Sequence, residues 1–375
     1  MTATGAVRAA DRVLGWDVLR GLCALAVASY HLLYWQGLAA LNTLGSYGVY
    51  MFFVLSGASL AYTYSGKLST VREGGAFLLT RWLRLAPLYL VLCAVFIAFL
   101  SLRNGELVDR LPLRLALNAS FAFGLHDPTV WALLIGGWSL GIEFVYYLAF
   151  PLLLAVLPRP AWCALVALAL GVVQWAWIDR TVGADAGYTA GAVAYHQVPG
   201  FAAYFFGGCV IGHWRRTRFL SLGLPAGVAM WATTAVLLLA LNPALAGDEL
   251  LGARGAVLSG LCFAAVYISG QVSLAASPAR VAGWLGDITY GCYLLHPLLF
   301  FGFAWFVLPR LGVADVERLT PAARWALLSA VLALSCAGAA ASERWFEAPM
   351  RRWGKRRLRP GDAPAPYREA ASISS

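Results

Sequence analysis

Charge is scarce in this sequence. Only 12% of its 375 residues are Asp, Glu, Lys or Arg, about half the ~25% usual in soluble domains. That is too little to cover the surface of a 40.3 kDa water-soluble protein. An ordinary soluble enzyme and a disordered chain are both excluded. Cysteine pairing is missing too. Cys23, Cys93, Cys163, Cys209, Cys262, Cys292 and Cys336 all fall in apolar stretches, are odd in number and form no C-x-x-C. They read as small buried hydrophobes, not as a disulfide framework or metal ligands. No soluble domain, internal repeat or long linker is evident.

What the sequence has is hydrophobic length. Hydrophobic residues make up 61% of the chain, with fifteen Trp and sixteen Tyr to supply interfacial aromatic belts. The uncharged runs predict an all-α integral membrane bundle of about ten spans. These lie near 16–36, 46–65, 82–101, 138–157, 161–178, 198–214, 223–242, 255–274, 288–308 and 325–345. Each is close to the ~20 residues that cross a bilayer. Residues 115–135 are apolar but broken by His126-Asp127-Pro128, so they read as a re-entrant or interfacial element and not an eleventh span.

The net charge of +10 does not point to nucleic acid, because the basic residues sit between apolar runs. Alternating ten spans from an inside N-terminus puts 20 of the 28 basic residues on the inner side. Both termini are then expected in the cytoplasm. The chain divides into an N-terminal tail (1–13), a membrane domain (14–350) and a basic, disordered tail (351–375). Residues 351–359 read as a collar on anionic lipid heads. The first apolar segment is too long for a signal-peptide core and carries Arg20 and His31.

Ionisable groups inside spans are costly, so each is a functional candidate. Arg20 and His31 are eleven residues apart on the first helix, on nearly one face and roughly 16 Å apart along the axis. Asp17 stands three residues from Arg20 and can pair with it. Glu143, in Trp138-Ser139-Leu140-Gly141-Ile142-Glu143, enters its span from the other side and reaches the depth of His31. A carboxylate and an imidazole at one depth suit a base and its orienting partner, or else a structural ion pair. Arg81 and Arg84 share a helix face and can fork onto phosphates, or simply anchor the helix end. His296 lies two turns into the ninth span. Gly137-x-Ser139-x-Gly141 matches a nucleophile elbow, but that chemistry needs a strand–turn–helix; close helix packing is the better reading. His126, His196 and His213 form no constellation. No His-Glu-x-x-His occurs and no His precedes an Asp by five residues, so zinc chemistry and the glycerolipid acyltransferase signature are unsupported.

Taken together, these residues resemble the membrane acyltransferase-3 family over about residues 14–350. The pieces run in family order: Asp17-x-x-Arg20-Gly21 with His31; Gly48-Val49-x-x-Phe52-Phe53-Val54-Leu55-Ser56-Gly57; Arg81-x-x-Arg84-x-x-Pro87; Trp138-Ser139-Leu140-x-x-Glu143; Tyr290-x-x-Tyr293-Leu294-x-His296-Pro297; and Glu347-x-Pro349. Thr289 stands where many relatives have Ser. No esterase-type domain follows the last span, so the chain looks like a stand-alone member. The resemblance implies a multi-pass protein of the bacterial cytoplasmic membrane, in contact with lipid. It implies transfer of an acyl group, usually acetyl, from acyl-CoA as donor substrate, with no bound cofactor and no metal. Acceptors in the family are hydroxyls of surface polysaccharide, lipopolysaccharide, lipo-oligosaccharide, peptidoglycan or glycosylated metabolites.

The expected mechanism places the CoA phosphates on Arg20, Arg81 and Arg84, with the pantetheine arm rising between the first, third and fourth spans. His31 acts as general base or transient acyl carrier, and Glu143 orients it. Trp138, Ser139, Tyr293 and His296 are supporting residues. The rival from another class is a transporter or flippase using the same ionisable path, although the broken-helix repeat of many carriers is missing.

Overall fold

In lipid, backbone N–H and C=O groups must be satisfied within the segment itself, so long apolar runs have to be helical. A computed structural model describes residues 12–182, 195–242 and 250–358, and it is helical in this way. Residues 1–11 of the expected N-terminal tail and 359–375 of the expected C-terminal tail lie outside the described residues. The main helices are α1 (Leu14–Trp35), α2 (Asn42–Tyr64), α3 (Val71–Asn104), α4 (Leu111–Ser120), α5 (Pro128–Trp131), α6 (Trp138–Val156) and α7 (Pro160–Thr181). After these come α8 (Ala202–Thr217), α9 (Leu224–Ala240), α10 (Ala253–Gln271), α11 (Ala276–Gly302), α12 (Pro321–Ser342) and α13 (Ala348–Leu358). Among the described residues there is no strand, only an isolated bridge between Leu222 and Val272.

All ten expected spans are present as helices, and eight are long and apolar enough to cross a bilayer. The other two, α8 and α9, have 16 and 17 residues, short of the ~20 a full crossing takes. α8 is short because Pro199 and Gly200 turn the preceding residues Val198–Phe201 into a 3-10 segment.

Residues 115–135 form no single span. Arg110, Phe121 and Asp127 adopt left-handed backbone, which cuts the stretch into α4, a 3-10 turn and α5. Asn118 ties the pieces together. Its carbonyl oxygen accepts from the Tyr89 hydroxyl at 2.5 Å and from Leu133 N–H at 3.0 Å. Its amide donates to Arg114 O and Trp131 O at 2.8 and 2.9 Å.

Two helix starts differ from the uncharged runs. α11 begins at Ala276, twelve residues before the expected 288. Asp287 lies within the helix, where Arg12 pairs with it at 2.9 Å. α3 begins at Val71, where Thr70 and Glu73 form a reciprocal capping box. Arg81 and Arg84 are therefore about three to four turns inside a 34-residue helix rather than at its end. The tail expected from 351 is helical through Leu358, as α13.

The core sits around α2. Its tightest neighbour is α8, which it meets backbone to backbone. A Cβ on Gly208 or Gly212 would stand 2.1 or 2.0 Å from the carbonyl oxygens of Val54 or Ala58. Gly208-x-x-x-Gly212 is thus a small-residue crossing, in which dispersion contact replaces the hydrophobic drive that lipid cannot supply. α7 is the opposite case. Only 6% of its apolar window is buried, and Trp162, Leu165, Leu168 and Val172 face outward, as a lipid-facing helix requires.

Candidate active site

A cavity of about 430 Å³ opens between α1, α2, α3, α6, α11 and the start of α13. Five arginines (Arg12, Arg20, Arg81, Arg84, Arg351) and five carboxylates (Asp17, Glu143, Asp287, Glu343, Glu347) line it. Asp17 is buried and binds Arg12 and, at 3.0 Å, Arg20. The pairing expected from the i,i+3 spacing is therefore present. Arg20 also donates to the Ser59 hydroxyl. Arg351 pairs with Glu343 and lies 3.8 Å from Glu347. A π-helical turn at Glu343–Glu347 brings both carboxylates to the same wall. Such bulges are common at functional sites.

Arg81 donates to the Tyr64 hydroxyl at 3.2 Å. Its guanidinium stands 5.6 and 5.9 Å from the ring centres of Tyr64 and Phe77. Arg84 is the exception in this wall. It is exposed to the cavity and makes no hydrogen bond or ion pair with any described residue. The charges around it are three further cations, Arg20, Arg81 and Arg351, against the carboxylate of Glu347, which is near but not bonded to it. A guanidinium outnumbered by cations is costly unless a further anion completes it. Chemically, this end of the cavity can hold a polyanion.

Glu143 lines the cavity further in. One of its oxygens, Oε1, accepts from the Ser56 hydroxyl at 2.5 Å and from the Tyr147 hydroxyl at 2.6 Å. These partners differ from the expected pairing of Glu143 with His31. Helix rotation decides this: Ser56 meets Glu143 across the α2–α6 contact, Tyr147 lies one turn on along α6 itself, and His31 bonds elsewhere. The Ser139 and Tyr293 hydroxyls lie 3.0 Å apart, and each is within reach of Gly136 O, at 3.1 and 2.8 Å. No histidine contacts Ser139, so the motif is not a nucleophile elbow. Its glycines serve packing, since a Cβ on Gly141 would strike Phe123 at 2.3 Å. Trp138 lies outside the cavity wall, stacked on His196 at 3.9 Å between ring centres.

His31 is half-buried, about three turns above Arg20, and the cavity lining stops short of it at Ser139 and Tyr293. Its partner is His296, with Nδ1 of His31 3.0 Å from Nε2 of His296. Trp35 stacks on His31 at 4.9 Å and 6°. His296 is buried, and its Nδ1 lies 3.3 Å from the carbonyl oxygen of Cys292. The Tyr293 ring stands 6.1 Å from the His296 ring, between the cavity and the histidine pair.

The structure thus brings Asp17, Arg20, Arg81, Arg84, Glu143, Ser139 and Tyr293 to one cavity, joins His31 to His296 beyond it, and leaves Trp138 aside. Sequence reasoning missed Ser59, Tyr64, Tyr147 and Arg351 as partners, and His196 as the stacking partner of Trp138. Tyr147 and Arg351 carried a signal, each four residues after a carboxylate on a helix face. Ser59, Tyr64 and His196 carried none, because tertiary packing alone brings them to their partners.

Residues 13–342 match the acyltransferase-3 family model, described as an acyltransferase domain. The chain is 35% identical over 167 residues to the acyltransferase MdmB of Streptomyces mycarofaciens. That match covers 39% of this chain and only 41% of MdmB. It is 27% identical over 331 residues to the exopolysaccharide production protein ExoZ of Rhizobium meliloti (strain 1021), covering 84% of this chain and 92% of ExoZ. No solved structure matches.

Proposed function

The chain belongs to the acyltransferase-3 family, and from that premise we propose that it moves an acyl group, acetyl in the simplest case, from acyl-CoA to a carbohydrate hydroxyl. The unpaired Arg84 in the 430 Å³ cavity carries this reading. Arg81, Arg84 and Arg20 receive the CoA phosphates, since guanidinium forks match phosphate oxygens. The pantetheine arm then runs along α1 past Glu143 and Tyr293 toward His31, roughly 16 Å above Arg20. His31 takes the acceptor's proton as general base.

On this reading the ten helices of span-like sequence all cross the membrane, with the 3-10 turn at Val198–Phe201 lengthening the sixth. Both termini are cytoplasmic, in the inner membrane of a bacterium, so Arg12 and Arg351 mark the side where acyl-CoA is available. The acceptor class is supported by the similarity to ExoZ, an exopolysaccharide production protein.

The test has two arms. Membranes containing the protein should release free thiol from acetyl-CoA, and His31→Ala should abolish that release. Surface glycans and secreted glycosides from cells with and without the gene should differ by the mass of one acyl group. No thiol release and no mass difference would leave the transporter reading in its place.

A further inference from the structure

Resting on the proposal that His31 is the base, we infer that His296 is the positioning residue that holds His31 in its basic tautomer. A backbone carbonyl only accepts, so the contact from His296 Nδ1 to Cys292 O requires a proton on that nitrogen. The carbonyl of Tyr293 adds a second acceptor beside the same ring. That carbonyl lacks its helical partner because Pro297 has no N–H to donate.

With Nδ1 protonated, neutral His296 has its lone pair on Nε2. The bond at 3.0 Å to His31 then has one possible direction: His31 Nδ1–H donates and His296 Nε2 accepts. The two rings are within 14° of one plane, and their centres are 5.2 Å apart. Nitrogens so much closer than the centres mean that the rings meet edge to edge, along the lone-pair direction. The remaining nitrogen of His31, Nε2, is left with a free lone pair, and no described residue bonds to it. Trp35 covers the ring face and keeps it from swinging away.

During transfer, the acceptor O–H proton passes to His31 Nε2 as the oxygen attacks the thioester carbonyl carbon. The imidazolium keeps donating through Nδ1 to neutral His296. The C–S bond then breaks, and the CoA thiolate takes the proton back from Nε2. The dyad ends as it began, and no other reagent is consumed. Without His296, His31 can place its proton on either nitrogen, and the tautomer protonated at Nε2 has no lone pair there to take the acceptor's proton. His296 therefore supplies in this membrane core the orientation that the sequence suggested for Glu143, whose Oε1 is taken by Ser56 and Tyr147.

The experiment measures kcat and both KM values in membranes normalised for protein, for His296→Leu, His296→Gln and His31→Ala. Gln carries its carbonyl oxygen near the place of Nε2 and can accept from His31 Nδ1–H. His296→Leu is expected to lower kcat on the order of a hundredfold, within the usual reach of acid–base catalysis, with both KM values within about twofold. His296→Gln is expected to recover about tenfold of that loss. A merely packed histidine would show no rescue by Gln and no split between kcat and KM. Full kcat in His296→Leu, or folded Gln and Leu variants equally inactive, would overturn the inference. If His296→Leu does not accumulate, the Gln variant decides alone: kcat lowered about tenfold with unchanged KM supports the inference, and kcat equal to wild type or below a hundredth of it overturns it. Activity in His31→Ala would instead remove the underlying reading of His31, so the two failures are distinguishable.

Discussion

Replacing Arg84 by Ala is expected to weaken use of the acyl-CoA donor while leaving the empty protein as stable as before. The structure supplies both halves. In the empty protein Arg84 makes no hydrogen bond or ion pair with a described residue, so truncation breaks none and relieves repulsion from its cationic neighbours. With a phosphate in place, the guanidinium contributes charge-assisted hydrogen bonds of about 1.5–3 kcal/mol each. A factor of ten in affinity is about 1.4 kcal/mol, so one lost bond of this size predicts a donor KM raised about ten- to a hundredfold. Arg84→Lys keeps the charge but loses the planar fork and should fall between. Arg81→Ala is the contrasting case. It also loses the bond to Tyr64 and the contacts with two rings, so its thermal midpoint should fall along with donor affinity. The assay is the initial rate of thiol release against donor and acceptor concentration separately, with a thermal melt of each purified variant. A donor KM within twofold of wild type in Arg84→Ala would refute phosphate binding at this position. A large fall in its melting temperature would refute the claim that the empty site strains against it.

Other perturbations probe the frame. Gly208→Ala places a methyl 2.1 Å from Val54 O; overpacking of this kind costs about 1–3 kcal/mol, so a lower melting temperature and a smaller monodisperse fraction in detergent should follow. Asn118→Ala leaves the Tyr89 hydroxyl and the Leu133 N–H without their acceptor. At about 1–3 kcal/mol for each buried orphan, limited proteolysis should find residues 111–135 newly open; an unchanged digestion pattern would contradict the role given to Asn118. A C-terminal fusion should report a cytoplasmic tail, by fluorescence in a fluorescent-protein fusion and silence in an alkaline-phosphatase one; an active phosphatase would overturn the ten-span topology.

Much of this protein was legible along the chain. Scarce charge and long apolar runs leave a bilayer as the only medium in which the chain is stable, and lipid then enforces helices. That logic found the ten longest helices but not α13, which was expected as a disordered tail, and the left-handed residues at Phe121 and Asp127 explain why 115–135 is not another span. Local spacing also carried the Asp17–Arg20 pair, because three residues on a helix make neighbours whatever surrounds them. Helix starts were less visible wherever a charge is neutralised by a distant partner. Asp287 ends an uncharged run in one dimension, yet it lies inside α11, paired with Arg12 from the other end of the chain.

What the tertiary structure alone decided is who faces whom. Depth along a helix follows from counting residues at about 1.5 Å each, so the sequence alone marks His31 and Glu143 as ionisable groups at a costly depth. Rotation about the helix axis does not follow, because it depends on which neighbours pack where. The close α2–α8 crossing at Gly208 and Gly212, and the contacts of α1 with α11, set that rotation. They turn Glu143 toward Ser56, leave Arg84 without a hydrogen-bond or ion-pair partner among the described residues, and hand His31 to His296, 265 residues away.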